Sequence, residues 1–231
     1  MSKSVLKVVA LSDTHGMHEQ IEVPEGDVLI HAGDFCKYGD TKEVKAFIQW
    51  LTERAHKHII IVAGNHDKCA EKKPEKIRAL FENENITYLC NEAAVIEGVK
   101  FWGSPITPTF LNWHFMKNRG GPIRGVWGLI PDDVDVIITH GPPYGHGSLA
   151  PPYRTAQPKE AGCLDLLNRI REIKDESQYL YPRIHVFGHI HAGYGATQSD
   201  EFGNLVFFNV SVCDEAYRPV NKATEFMIWE I

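Results

Sequence analysis

The sequence predicts an α/β fold. Apolar, β-branched runs of four to seven residues recur along the chain, helical segments fall between them, and five of the runs end in a polar motif. The first run, Val5–Leu11, follows Met-Ser-Lys-Ser and lacks a small-residue cleavage pattern. It therefore reads as a first strand rather than a leader. Val28–His31 and Ile59–Ala63 are the next strands. Between them Lys42–Ala55 is a helix with Thr41 placed to cap it. Pro74 suits the opening turn of a second helix, Pro74–Phe81. Ala94–Ile96 and Val99–Trp102 bracket Glu97-Gly98 and predict a hairpin. Val134–Thr139, the helix Ala161–Ile173, and the strands Ile184–Phe187 and Leu205–Val210 complete the alternation. Most of the stretch from Ser104 to Pro158, rich in Pro, Gly and aromatic residues, is predicted as long surface loops. With no repeat or linker, residues 1–231 are expected to form one domain.

Composition narrows the function classes. No apolar run approaches the roughly 20 residues that span a bilayer, so no membrane partner is expected. The five cysteines, Cys36, Cys69, Cys90, Cys163 and Cys213, are scattered and never spaced as C-x-x-C. That disfavours a disulfide framework or a zinc knot and suits a reducing, cytoplasmic setting. The net charge of -6, with no basic cluster, disfavours duplex nucleic acid. A small nucleotide remains compatible, because bound metals would supply positive charge.

The informative feature is the placement of polar residues just past the strand ends. Leu11 leads to Asp13-Thr14-His15, His31 to Gly33-Asp34, Ala63 to Gly64-Asn65-His66-Asp67, Thr139 to His140-Gly141, and Phe187 to Gly188-His189-Ile190-His191. Ligands in α/β sheets bind beyond the carboxyl ends of strands, so neighbouring strands would bring all five motifs to one rim. Asp13 and His15, like His189 and His191, are two apart, and on an extended chain such pairs point the same way. Glycine before Asp34, Asn65 and His189 permits a sharp turn or close approach. Carboxylate, amide and imidazole donors suit Mn, Fe or Zn. Two adjacent ions need a shared ligand, and a carboxylate is the natural bridge. With only Asp13 and Asp34 as carboxylates, two dications and a hydroxide leave the site positive, fit to attract phosphate. The other histidines read as structural: His31 sits among strand residues and is expected to be buried and hydrogen-bonded.

Asp-x-His, Gly-Asp, Gly-Asn-His-Asp, His and Gly-His-x-His, in that order, resemble the metallophosphoesterase (calcineurin-like phosphoesterase) superfamily. The stretches Ser12–His15, His31–Phe35, Phe101–Pro105, Thr139–Pro143 and Phe187–Gly195 resemble most the group of metallophosphoesterase-domain proteins akin to cyclic nucleotide phosphodiesterases. The resemblance implies a four-layer α-β-β-α sandwich with two divalent metal ions at one edge. It implies Asp13, His15, Asp34 and His191 on one ion and Asp34, Asn65, His140 and His189 on the other, with Asp34 as the bridge. Some members carry Gly where this chain keeps His189, so a fully ligated pair is implied here.

On that pattern a bridging hydroxide attacks phosphorus and His66, beside a ligand but not itself one, is the candidate general acid. Asp67 is placed either to orient His66 or to cap the following turn. The expected substrate is a small phosphate ester, with a phosphodiester such as a cyclic nucleotide favoured. Trp113, Phe115, Arg119, Arg124 and Tyr144 lie in or beside the long loops; packing of the loops onto the domain is the favoured reading for each, and the alternative is that aromatic faces stack a base and Arg pairs with phosphate. The alternatives are a phosphomonoesterase or protein phosphatase, a nuclease, and a non-catalytic metal-binding scaffold. The acidic balance weighs against the nuclease, and the complete donor set with His66 weighs against the scaffold.

Overall fold

The computed structural model describes residues 5–84, 86–152, 157–176 and 182–229. Strand β1 (Val5–Leu11) is followed by β2 (Val28–Ala32), α1 (Thr41–Thr52) and β3 (His58–Val62). Helices α2 (Lys68–Lys72) and α3 (Pro74–Glu82) lead to β4 (Thr87–Tyr88) and to the hairpin β5 (Glu92–Ile96) and β6 (Val99–Ser104). The short pair β7 (Thr107–Pro108) and β8 (Met116–Lys117) precedes α4 (Gly121–Trp127) and β9 (Val136–Thr139). Next come the pair β10 (Leu149–Ala150) and β11 (Lys159–Glu160), α5 (Leu164–Glu176) and β12 (Ile184–Phe187). The strands β13 (Gly195–Thr197), β14 (Val206–Asn209) and β15 (Thr224–Trp229) close the fold.

Two sheets result, ordered β15-β1-β2-β3-β4 and β13-β14-β12-β9-β6-β5. Strands β1 to β4 run parallel, as do β6, β9, β12 and β14. The central parallel strands β2, β3, β9 and β12 are buried on both faces, and alternation along the strands sorts two cores. Val8, Ala10, Ile60 and Val62 meet Val136, Ile138 and Val186 between the sheets. Val9, Leu11, Ile59 and Ile61 belong instead to a core shared with the helices. Helix α1 supplies Val44, Phe47, Ile48 and Leu51, an i, i+3, i+4, i+7 stripe. Helix α5 supplies Leu166, Leu167, Ile170 and Ile173 beside Trp102 and Ile137. These layers are the four-layer α-β-β-α sandwich.

Three local expectations change. The cap of α1 is Asp40, not Thr41: its carboxylate accepts from Lys42 N and Glu43 N, and Glu43 reaches back in a capping box. The region predicted as loops contains α4, whose Ile123 and Trp127, four apart, are both buried; residues 153–156 of that region lie outside the described residues. Strand β15 went unpredicted; it pairs antiparallel with β1. His31 is buried as expected, with Nε2 3.1 Å from Thr14 Oγ1. All five cysteines are free thiols. Among the described residues, no helix is long and apolar enough to cross a membrane.

Candidate metal centre

The segments after β1, β2, β3, β9 and β12 meet at one rim. Asp13 Oδ1 lies 3.5 Å from His191 Nε2 and 4.0 Å from His15 Nε2. The two imidazole nitrogens, His15 Nε2 and His191 Nε2, are 3.3 Å apart. Asp34 Oδ2 is 3.3 Å from His140 Nε2, which is 3.0 Å from Asn65 Oδ1. The His140 and His189 rings are 4.9 Å apart. Three donor groups close within 4.8 Å: Asp13 with His15 and His191, Asp34 with His140 and His189, and His15 with Asp34 and His66. Asp34 belongs to two of them and joins the halves of the site.

The backbone brings these donors together differently from the extended geometry expected. Asp13, His15, Asp34 and His189 have φ of 57°, 45°, 55° and 69°. Non-glycine residues are uncommon in this left-handed region, and they cluster where function constrains the chain. The paired donors therefore converge through tight turns beyond the strands, and His191 already lies in a 3-10 turn, His191–Gly193. The turns are fixed across the rim: Asp13 N donates to Gly33 O and His15 N to Asp34 O, at 2.9 and 3.0 Å. Close approach explains the glycines. A Cβ on Gly64 would stand 2.3 Å from Asp34 Oδ1, and one on Gly188 2.1 Å from Asp13 Oδ2.

A second layer aims the donors. Asp13 Oδ2 accepts from Ser12 Oγ, Ser211 Oγ and His189 N at 2.6, 2.7 and 2.9 Å, while the buried Asp13 Oδ1 accepts no hydrogen bond and faces only the His191 and His15 rings. His140 Nδ1 donates to Ala32 O and His191 Nδ1 to Asp214 O, which leaves both Nε2 atoms facing the centre. His66 Nδ1 donates to Lys37 O at 3.0 Å, so the Lys37 carbonyl holds the ring that Asp67 was expected to orient. Asp67 does not cap its turn with its side chain either. Its buried carboxyl group instead accepts from Asp34 N, Gly64 N and Cys36 N at 2.9, 2.7 and 2.8 Å and so ties the two donor loops together, while burial and the neighbouring Asp34 charge push it above the usual carboxylate range.

The electrostatics call for cations. Burial alone would drive His140 and His191 neutral, yet Asp34 and Asp13 respectively hold each up at about 9. Burial would raise Asp34, but His140 brings it well below the usual carboxylate range. His15 and His189, desolvated by burial, fall to about 4 and present free lone pairs. Two buried carboxylates that demand compensating charge, an Asp13 Oδ1 that accepts no hydrogen bond and Nε2 atoms converging at 3.3 Å fit two divalent cations.

The family model for calcineurin-like phosphoesterases matches residues 6–193, the stretch that holds every one of these donors. The chain belongs to that family. Human and mouse metallophosphoesterase domain-containing protein 1 are each 36% identical, covering 93% of this chain and 68% of their own. A UPF0046 protein of Caenorhabditis elegans is 35% identical, covering 93% of this chain and 79% of its own. A crystal structure of a Thermus thermophilus protein shares the fold, with a TM-score of 0.59 at 14% identity over 89% of each chain. Calcineurin-like phosphoesterases work with a dinuclear divalent metal centre, and the assignment supports phosphoester hydrolysis as the reaction.

Around the phosphoesterase centre stands a wall the sequence only partly disclosed. Trp113 stacks on His66 at 4.5 Å and 28°. Tyr217 meets the His15 and His191 rings at 4.7 and 5.5 Å and had no motif to announce it. Ser211 and Asn209 lie at the end of β14 just as the donors lie at the ends of other strands, and that signal would have found them. Of the other loop candidates, Phe115 is buried, Arg119 donates to the Gly162 and Ala161 carbonyls, and Arg124 is exposed on α4. Tyr144 is exposed in the loop after His140.

Proposed function

We propose that this chain hydrolyses small phosphodiesters, cyclic nucleotides among them, with Asp13, His15, Asp34 and His191 on one cation and Asp34, Asn65, His140 and His189 on the other. The observation that carries the reading is the place of Asp34 in two donor groups at once. Two bound cations, of Mn, Fe or Zn type, would supply Lewis acidity to the phosphoryl oxygens and activate the attacking water.

The chain's own residues do the rest. Asp67 fixes the backbone of Asp34 through its N–H, and Ser211 holds the Asp13 carboxylate in place. His66 reaches the donor group of His15 and Asp34, and its Nδ1–H is committed to the Lys37 carbonyl. Nε2 is therefore the nitrogen that would pass a proton to the leaving oxygen, from the imidazolium form of the ring, as the P–O bond breaks.

Comparing bis-4-nitrophenyl phosphate with 4-nitrophenyl phosphate on manganese-, iron- and zinc-reconstituted protein tests this, followed by 2′,3′- and 3′,5′-cyclic nucleotides. Faster turnover of the diester supports the reading; a preference for the monoester overturns it in favour of a phosphomonoesterase.

A further inference from the structure

Beyond His66 the site opens into a cleft of about 330 Å³ whose walls include Asn65, His66, Tyr38, Trp113, Lys37 and Lys68. His66 divides the two spaces. Its ring meets His15 edge-on at 4.6 Å on the donor side and lies under Trp113 on the cleft side. A group that takes its proton from His66 must lie beside it, so the departing half of the ester projects into this cleft. The cleft presents flat aromatic surface: Trp113 is 40% exposed and Tyr38 is 74% exposed. Its rim is cationic, with Lys37 Nζ 5.3 Å from the Tyr38 ring centre and Lys68 exposed nearby.

The wall is also held ready. Glu71, on the helix that directly follows His66, accepts from Phe115 N and His114 Nδ1, each at 2.8 Å. The loop that carries Trp113 is thus tied to the segment that carries His66. A stacking face fixed in advance loses less entropy on binding than one that must be ordered.

We propose that this cleft is the leaving-group subsite and that it selects a flat aromatic group of nucleobase size, stacked on Trp113. The proposal rests on the phosphodiesterase reading and adds to it which half of the ester occupies which side of His66.

The test uses manganese-loaded protein and two diesters, the methyl ester of adenosine 5′-phosphate and the methyl ester of ribose 5-phosphate. They offer the same leaving oxygen and differ in the base. The base-bearing ester is expected to show kcat/KM higher by about tenfold or more, the worth of one stacked base. Products should be adenosine and methyl phosphate. Trp113→Ala should bring the ratio to within about twofold, and Trp113→Phe should restore most of it. Lost support for His66 slows both esters alike, so the ratio reads the subsite alone. Equal rates in the unaltered protein, a ratio insensitive to Trp113→Ala, or release of methanol and adenosine 5′-phosphate would each overturn the proposal. Calorimetric binding of adenosine 5′-phosphate and ribose 5-phosphate needs no turnover. If neither ester is cleaved, Trp113-dependent tighter binding of the nucleotide sinks the diester reading and keeps the subsite, and equal binding sinks the subsite.

Discussion

Asp13, Asp34 and His140 are buried and tied by backbone or hydroxyl groups from neighbouring strand ends. A few ångströms away, Trp113 and Tyr217 are 40% and 45% exposed and stand on loops. The rim owes its precision to strained turns locked by the two sheets, whereas the wall owes its position to a few contacts such as those of Glu71. On the proposed function the rim governs what reaction is possible and the wall what fits beside it. Substitutions in the two regions should therefore fail in different ways.

The largest separation is expected at His66, where rim and wall meet. His66→Ala should retain its metal and lose about 10²–10⁴-fold in kcat, the usual worth of a positioned acid. Turnover equal to that of the unaltered enzyme would remove His66 from the mechanism. Asp67→Asn probes the rim's support. Asparagine turns a donating amide toward amides that already donate, so metal affinity should fall about 10–100-fold. Titration with manganese reads this, and unchanged affinity would return Asp67 to a passive role. Glu71→Gln probes the wall alone: KM for a base-bearing diester should rise a few-fold while metal affinity stays the same, and the reverse pattern would erase the distinction between the regions.

A smaller effect belongs to neither region. Burial holds His31 and His185 neutral, each with a pKa down at about 3 against 6.5 in the unfolded chain. Between those values the unfolded chain binds more protons, so stability present above pH 6.5 is lost as the pH falls. At pH 5 the loss is about 2 kcal/mol per histidine. Urea midpoints at pH 7 and pH 5, with chelator present to remove metal linkage, should show it, and His185→Gln should shrink it. Midpoints that stay level across this range would contradict it.

The same contrast governs how much could be read from the sequence. The parallel strands were legible because Val8–Leu11 or Ile59–Val62, buried on both faces, must be apolar throughout. The donors were legible because each comes just after such a run. What escaped depends on tertiary partners. The left-handed turns at Asp13 and Asp34 are imposed by hydrogen bonds across strand ends, and local preference opposes them. Asp67 faces three amides from segments up to 33 residues away, which no local pattern encodes. Helix α4 hid between glycines, and Tyr217 reaches the site only because the chain after β14 folds back over His15.

Asp34 is proposed to hold two cations at once, and equilibrium dialysis against manganese is the decisive experiment. The unaltered chain should bind two ions, and Asp34→Asn should bind fewer than one under the same conditions because both halves lose their shared anionic carboxylate. Two ions retained by Asp34→Asn would contradict the account.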